Sequence, residues 1–170
     1  MYCNLKKDDY LIKLIMRQIF LFIISLYFTS CESNNLFEKR VTIPDMKWQR
    51  SVPVTGEVQI NDTLSVYDMY LCLRHTDAYA YNNIWLNISL TGQNDTVITE
   101  RREIVLGSDA FGWEGTGMND IWDIRKKINQ KPIKFKKNGN YLFAIRHEMR
   151  ENPLSGIMSV GIRLEKRSGK

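Results

Sequence analysis

The sequence contains few of the residues that enzymes use for chemistry. It has 2 histidines and 3 cysteines in 170 residues, and neither histidine lies at zinc-ligand spacing from a cysteine or from the other histidine. It also lacks a Gly-x-Ser-x-Gly elbow and a Walker loop. We therefore predict no catalytic residue, no metal site and no cofactor, and we expect His75 and His147 to be polar side chains at strand ends.

Carboxylate pairs that could hydrolyse a glycosidic bond occur only as close neighbours in the sequence. Asp120 and Asp123 form one such pair, and Glu148 and Glu151 form another. Glycoside hydrolysis needs two carboxyl groups that face each other across a cleft, and nothing in this spacing predicts a cleft. We therefore expect a protein that is not an enzyme and that binds no small-molecule ligand.

A hydrophobic run long enough to cross a membrane is also missing. The apolar stretch Ile19 to Phe28 has ten residues, whereas a transmembrane helix needs about 20. Arg17 precedes the stretch and a cysteine follows it, which is typical of a signal peptide over residues 1–30. An ordinary signal peptide without lipidation and an N-terminal anchor are the alternatives. Acidic residues near the front are unusual for such a signal, so translation from Met16 is an alternative start.

The tetrapeptide FTSC, which ends at Cys31, resembles the lipobox of bacterial lipoproteins. The resemblance implies that Cys31 becomes the first residue of the mature chain and carries a diacylglycerol thioether. Two or three acyl chains, at about 0.8 kcal/mol per buried methylene, hold a protein stably on a membrane. We predict a lipidated cysteine and polar tether over residues 31–40, followed by one domain over residues 41–170.

Positive charge is concentrated in one stretch of the sequence. The formal net charge is +5, and the segment RKKINQKPIKFKK, Arg125 to Lys137, has seven basic residues and no acidic one. No nucleic-acid-binding module accompanies it, so we predict no nucleic-acid partner. The simplest interpretation is a charged face in contact with water. An anionic lipid or lipopolysaccharide headgroup is the alternative, because a basic residue near a membrane surface gains about 1 kcal/mol.

Alternation of apolar and polar residues predicts a protein built of strands. In one segment Tyr67, Met69, Leu71 and Leu73 fall on a single face. The sequences GQND and KKNGN between runs are typical of hairpin turns. The predicted strands are Val54 to Ile60, Tyr67 to Thr76, Ile84 to Thr91, Asp95 to Leu106, Tyr141 to Met149 and Ser159 to Lys166.

This pattern predicts an all-β, single-domain antiparallel β-sandwich of jelly-roll or immunoglobulin-like type. A single closed sheet is the alternative architecture. One region breaks the pattern, because the isoleucines between Asp120 and Gln130 are spaced by three and four residues and predict a short helix. Cys72 has no disulfide partner after Cys31, and we expect it to be a small core residue.

Several stretches together resemble the gliding motility-associated lipoprotein GldH family of Bacteroidetes. The tail segment, with Tyr141, Met149, Arg150 and Gly156, is the most specific of them. The matching pieces are the lipobox, Trp48 with Pro53, LRHTDAYAYNNIWL, GWEGTGMND and NGNYLFAIRHEMRENPLSGIMSVGIRLEK. Ala80 stands where the family pattern has proline.

The resemblance implies a non-catalytic lipoprotein of the cell envelope, associated with the outer membrane and linked to gliding motility and type IX secretion. Its implied partners are the membrane, through the lipid, and envelope proteins of that machinery. Arg74, Trp113 and Arg150 are candidate contact or structural residues. A carbohydrate-binding sandwich lipoprotein with an aromatic strip is the alternative function.

Two further expectations follow from the same envelope setting. The sequences DTL and DTV resemble the O-glycosylation acceptor of this bacterial group, which makes Thr63 and Thr96 candidate acceptors. Glu32 is the one acidic residue close behind Cys31, whereas surface-export signals in these bacteria resemble acid-rich runs. This favours the periplasmic face.

Overall fold

The computed structural model describes residues 16–18, 36–92 and 95–167. The chain divides into two units, Met1–Asn34 and Asn35–Lys170. In the first unit the described residues are 16–18, which are helical. No helix among the described residues is long and apolar enough to cross a membrane. The predicted signal peptide and Cys31 otherwise lie outside the described residues.

The described part of the second unit contains thirteen β-strands and one 3₁₀ turn, Pro44–Met46. The strands are β1 (Leu36–Thr42), β2 (Lys47–Trp48), β3 (Val54–Ile60), β4 (Tyr67–Thr76), β5 (Asn83–Gly92), β6 (Asp95–Val105), β7 (Gly107–Ser108), β8 (Gly112–Trp113), β9 (Thr116–Met118), β10 (Ile121–Lys127), β11 (Gly139–His147), β12 (Leu154–Ser155) and β13 (Ile157–Lys166).

Two antiparallel sheets form the sandwich. The first sheet has the order β1-β13-β4-β10-β9, and the second has the order β3-β11-β5-β6. The short ladders β2–β12 and β7–β8 lie outside them. Buried residues of both sheets, such as Leu71 and Phe143, belong to one hydrophobic cluster. The predicted all-β sandwich is therefore confirmed, and the two separate sheets exclude a single closed one.

The pairing of the eight long strands shows which type of sandwich this is. Numbered along the chain, the first strand pairs with the eighth (β1–β13), the second with the seventh (β3–β11), the third with the sixth (β4–β10) and the fourth with the fifth (β5–β6). This is one long hairpin rolled into two sheets, the order of a jelly roll. An immunoglobulin-like domain has a different strand order.

The predicted inner faces are the buried ones. Met69, Leu71 and Leu73 of β4 are completely buried, as are Ile84 and Leu86 of β5. Their alternation with more exposed residues follows from the two-residue period of a strand, with one face on the core and the other toward solvent. Strands β3 and β4 begin and end at the predicted residues.

Three local expectations are corrected by the structure. The segment predicted as a short helix forms β10, because it pairs with β4 on one side and β9 on the other. Strand β1 begins at Leu36, inside the segment 31–40 that was predicted as tether. The KKNGN segment does not close a hairpin, since it connects β10 of the first sheet to β11 of the second.

Candidate interaction surface

Four connections meet at one end of the sandwich, which we call the loop end. They are residues 43–53, 77–82, 106–120 and 148–156, each of which joins strands of the two sheets. The opposite end, which we call the terminal end, contains the start of β1 and the end of β13, together with connections 61–66 and 128–138. The connections that carry most of the family-like sequence motifs are therefore neighbours in space.

Backbone hydrogen bonds tie the four connections of the loop end together. The amide of Gly107 donates to the carbonyl of Asn82 at 3.1 Å, and the amide of Gly156 donates to the carbonyl of Met46 at 3.0 Å. The amide of Asp77 donates to the carbonyl of Asp120 at 2.9 Å. Two of these bonds join 77–82 with 106–120, and the third joins 43–53 with 148–156. The amide of Thr76, at the end of β4, donates to the carbonyl of Gly156 at 3.0 Å and links the two pairs, so the loop end is a fixed scaffold for the side chains it presents.

An aromatic cluster fills the base of the loop end. The Trp113 ring packs edge-on against the imidazole of His75, with centroids 4.5 Å apart, and Tyr79 lies beside both rings. Gly112 and Gly115 have φ values of +72° and +95°, which glycine adopts without steric cost. These two glycines allow tight turns on either side of the packed Trp113.

Both histidines are completely buried, so the expectation of polar strand-end side chains was wrong about their surroundings. His75 Nδ1 donates to the carbonyl of Thr76 at 3.0 Å, and His147 Nε2 donates to the carbonyl of Trp48 at 3.0 Å. The other ring nitrogen of each has no partner among the described residues. Burial lowers the pKa of both imidazoles, because a low-dielectric site disfavours the charged form.

Arg150 is exposed at the loop end, and its backbone takes part in the scaffold. Its carbonyl accepts a hydrogen bond from Arg50 Nη2 at 3.1 Å, and the same nitrogen donates to the carbonyl of Met149. The Arg150 guanidinium has no partner within residues 36–92 and 95–167. This leaves its five donors available to a molecule outside the described chain.

Arg74 belongs to an ion-pair cluster on the outer face of the first sheet. The Asp123 carboxylate accepts from Arg74 Nη2 at 2.7 Å and from Arg40 Nη1 at 2.9 Å. Cys72 lies buried next to this cluster, and burial raises the pKa of its thiol to about 11. Arg74 therefore connects β4 to β10, and Arg40 connects β1 to β10 across the intervening strands.

The comparisons with known proteins agree on one family. The family model described as GldH lipoprotein matches residues 35–164. The chain belongs to the GldH lipoprotein family. A protein named gliding motility lipoprotein GldH homolog, from Christiangramia forsetii, is 29% identical over 155 residues, which cover 87% of this chain and 93% of the relative. Gliding motility lipoprotein GldH of Flavobacterium johnsoniae is 24% identical over 145 residues, covering 81% and 89%.

Solved structures offer only a distant likeness for this GldH-family domain. The VP2 subviral particle of infectious bursal disease virus matches 81% of this chain at 18% identity with a TM-score of 0.35. The match spans about a third of that longer chain, 34% of it. The jelly-roll assignment therefore comes from the strand order of the GldH-family domain itself.

Most tryptophan and tyrosine side chains of the described residues pack in or against the core of this GldH-family domain. Trp48 and Tyr79 are buried in the core, and Tyr81, Trp85 and Trp113 pack against it. Trp48 Nε1 and Tyr79 Oη donate to the carbonyls of Val52 and Asn83 at 3.0 and 2.9 Å, and Tyr81 Oη donates to Glu151 at 3.2 Å. The packing of these rings thus gives no support to the carbohydrate-binding alternative.

Three of the four acidic side chains in these pairs make structural contacts. Asp120 lies in the β9–β10 turn with φ of 61°, whereas Asp123 is held by its two arginines. Glu148 pairs with Arg101, and Glu151 accepts from Tyr81. Among the described residues no group of three or more histidine, cysteine, aspartate or glutamate side chains is arranged to hold a metal ion.

The two candidate glycosylation residues lie in different settings. Thr63 is half-buried in the 61–66 connection, where the Asp62 carboxylate accepts from the amides of Leu64 and Ser65 at 2.8 and 3.1 Å. The hydrogen bond from Lys166 lowers the Asp62 pKa most. Thr96 is a residue of β6 that pairs with Thr91 of β5.

Exposed apolar side chains at the loop end were not identified from the sequence. Phe111 is 93% exposed at the β7–β8 turn, and Met118 is 75% exposed in β9. Val52 and Met46 are also exposed there, at 60% and 42%. A sequence shows which residues are apolar but not which of them remain outside the core. Phe111 and Met118 belong to the same connection, 106–120, so their exposed side chains are the strongest candidates at this end for contact with another protein.

Proposed function

We propose that this GldH-family chain is a non-catalytic lipoprotein that is anchored through Cys31 in the outer membrane and contacts a protein of gliding or type IX secretion-linked machinery through its loop end. The observation that carries the contact surface is the exposure of Phe111 and Met118 on a hydrogen-bonded scaffold. Arg150, with no partner for its guanidinium among the described residues, adds a charged donor to the same surface.

The family names support the setting of this proposal. The relatives are named gliding motility lipoproteins, and the FTSC tetrapeptide gives this chain a cysteine suitable for lipidation. Aromatic residues and arginine are enriched at the centres of protein interfaces. We infer the periplasmic face because Glu32 is the one acidic residue close behind Cys31.

Cross-linking in cells tests the contact surface. The natively lipidated protein is cross-linked, purified and analysed by mass spectrometry, in parallel with a Phe111→Ser/Met118→Ser form and a Cys31→Ala form. We expect envelope-machinery proteins with the native chain and a loss of at least tenfold with either variant. Leu64→Ser is the matched control, because Leu64 is 89% exposed at the terminal end.

Three results would each overturn a part of this proposal. Equal recovery of the same partners with the Phe111→Ser/Met118→Ser form would place the contact elsewhere on the protein. A native intact mass without added acyl chains would remove the lipid anchor at Cys31. Protease treatment of intact cells that removes the domain would exclude the periplasmic face.

We propose Thr63 and Thr96 as O-glycosylation acceptors on the resemblance of their tripeptides alone. Thr63 is half-buried, and its neighbouring Asp62 is engaged in a turn. Intact-mass measurement of native protein, with Thr63→Ala and Thr96→Ala forms, tests both positions. Native protein without hexose-sized additions would contradict the proposal.

A further inference from the structure

The structure divides the basic segment Arg125 to Lys137 into two parts. Its first three basic residues lie on β10 and face acidic partners: Arg125 pairs with Glu165, Lys126 with Glu114 and Lys127 with Asp68. Its last four basic residues are the exposed lysines of the 128–138 connection at the terminal end, Lys131, Lys134, Lys136 and Lys137. The segment is therefore not one uniform charged face, and its outward charge is concentrated beyond β10.

Buried neighbours fix the direction of these lysines. Ile133 and Phe135 are buried, and Ile133 exchanges two backbone hydrogen bonds of 2.8 Å with Tyr67 at the start of β4. Phe135 packs between Tyr67 and Tyr141. Alternation then turns Lys134 outward, so the connection is a rigid strap that presents its lysines away from the core.

An open pocket of about 600 Å³ lies between this strap and β6, the edge strand of the second sheet. Lys131, Lys134 and Arg102 line it, together with apolar side chains of Val97 and Pro132. Glu100, the acidic residue of the lining, is paired with Arg102 at 3.0 Å. Lys131 and Lys134 have no ion-pair partner in the described part of the chain, so the pocket has an excess of positive charge.

The position of this pocket matters because of where the chain enters the domain. β1 begins at Leu36 at the terminal end, and Cys31 lies five residues earlier in the sequence. Five residues span at most about 17 Å when fully extended. This inference rests on the proposed lipid anchor at Cys31. A link this short keeps the terminal end, and with it the lysines of the strap, close to the membrane surface.

We propose that the lysine-lined pocket at the terminal end binds anionic, phosphate-bearing headgroups of the bilayer in which the chain is anchored. Lysine ammonium groups attract anionic headgroups near a membrane surface, and the apolar part of the lining accommodates the hydrocarbon next to a headgroup. Such binding orients the domain, with the terminal end on the membrane and the loop end directed away from it.

Lysine footprinting on the lipidated protein tests this inference. The protein is reconstituted into nanodiscs of phosphatidylcholine alone or with 30% phosphatidylglycerol, acetylated briefly and analysed by mass spectrometry. We expect the acetylation rates of Lys131 and Lys134 to fall about threefold or more in the anionic discs and to recover in 0.5 M NaCl. Lys47 is the internal control, since it is exposed at the loop end and has no ion pair among the described residues.

A charge-reversed protein sharpens the test. Lys131→Glu/Lys134→Glu should remove the anionic-lipid protection of neighbouring Lys137, whereas Lys47→Glu should leave that protection unchanged. Equal acetylation rates of Lys131 and Lys134 in both kinds of disc would overturn the inference. Equal protection by 5 mM glycerol phosphate in phosphatidylcholine discs would also overturn it, because the ligand would then be a soluble anion. Loss of the acyl chains from the intact mass would instead refute the anchor of the proposed function.

Discussion

Asp123 of β10 binds two arginines that come from different strands, Arg40 of β1 and Arg74 of β4. Both of its carboxylate oxygens accept from Arg40 Nη1 at 2.9 Å, and Oδ2 also accepts from Arg74. The side chain is 29% exposed, so solvent weakens these pairs without removing them. Arg40 of β1 is paired in the sheet with Gly161 of β13, which is paired in turn with Cys72 of β4. These small residues leave room for the long arginine side chain to reach across the sheet.

Replacing this carboxylate should destabilise the first sheet. We expect Asp123→Asn to lower the free energy of unfolding by about 1 kcal/mol, because the partly buried guanidinium of Arg40 and the exposed one of Arg74 lose their charged partner. Urea denaturation measures the effect, which should shrink in 1 M NaCl. Asp109→Asn, at an exposed position of the β7–β8 turn, is the control. Equal stability of the two variants would contradict this role of Asp123.

The buried histidines make stability depend on pH. Burial lowers the pKa of His75 and His147 below the ordinary value of 6.5, so the unfolded chain binds more protons than the folded chain as the pH falls below 6.5. We therefore expect the free energy of unfolding to be highest above pH 6.5 and to decrease as the pH is lowered toward 5. Urea denaturation at pH 7.5 and 5.0 measures this decrease.

A histidine variant separates this effect from that of the carboxylates. In His147→Gln the decrease between the two pH values should be smaller, since one of the two proton-binding sites of the unfolded state is gone. Glu38 and Asp68 also have lowered pKa values, but they change the stability mainly at pH values below their ordinary pKa values of 4.5 and 3.8. That range lies below the interval from pH 5.0 to 7.5 over which unfolding is measured. An unchanged decrease in the variant would contradict the assignment to His147.

Among the elements, β1 shows how closely two strands approach. A Cβ added to Gly161 of β13 would lie 1.9 Å from the carbonyl oxygen of Lys39 and 2.7 Å from the Cα of Arg40. Both atoms belong to the backbone of β1, so the strand itself must move to admit a side chain. This close approach explains why a residue without a Cβ stands in the middle of a buried strand.

Gly161→Ala should therefore weaken the pairing of β1 with β13. We expect a loss of about 2 kcal/mol in the free energy of unfolding, the usual cost of overpacking, and faster amide exchange along Leu36–Thr42. Urea denaturation and hydrogen exchange measure the two effects. Ser159→Ala on the same strand, opposite Thr42 of β1, is the control and should change neither. Unchanged exchange of β1 in Gly161→Ala would contradict the steric argument.

The elements that the sequence predicts well are those with one completely buried face. β3 and β4 agree residue by residue, because their apolar residues alternate without interruption. β10 resembled a helix, since Ile124 and Ile128 are buried at a spacing of four although the second lies just beyond the strand. β1 was not predicted as a strand, because its outward residues include charged ones such as Glu38 and Arg40, which form an ion pair. In the sequence this edge strand therefore has the composition of a polar tether.

The candidate surface depends on the whole molecule, which is why the sequence predicts its parts and not their assembly. Trp113 and Arg150 were singled out separately, and only the jelly-roll pairing places their connections at one end. Phe111 had no sequence signal of its own, and the basic segment Arg125 to Lys137 indicated the lysines of the terminal-end pocket but not the pocket itself. Exposure and charge excess are properties of the packed sandwich, since they depend on which residues other strands cover.

The two ends of the sandwich make a prediction about the orientation of the whole protein. β4 runs from the terminal end to the loop end, and ten residues of strand are about 33 Å long. Fluorophores on Leu64→Cys and Phe111→Cys should therefore differ in energy transfer to acceptors in the headgroup layer. Cys72 does not compete for a maleimide dye, because it is buried and its pKa is about 11.

We expect strong transfer from position 64 and at least twofold weaker transfer from position 111 in the lipidated, reconstituted protein. The physical reason is that Leu64 lies in the 61–66 connection, at the end where the chain leaves β1 toward Cys31. Val52→Cys, exposed at the loop end, should match position 111. Equal transfer from both ends would mean that the sandwich lies flat on the membrane, and stronger transfer from position 111 would reverse the orientation. In either case the loop end would be close to the lipid and less accessible to an envelope partner.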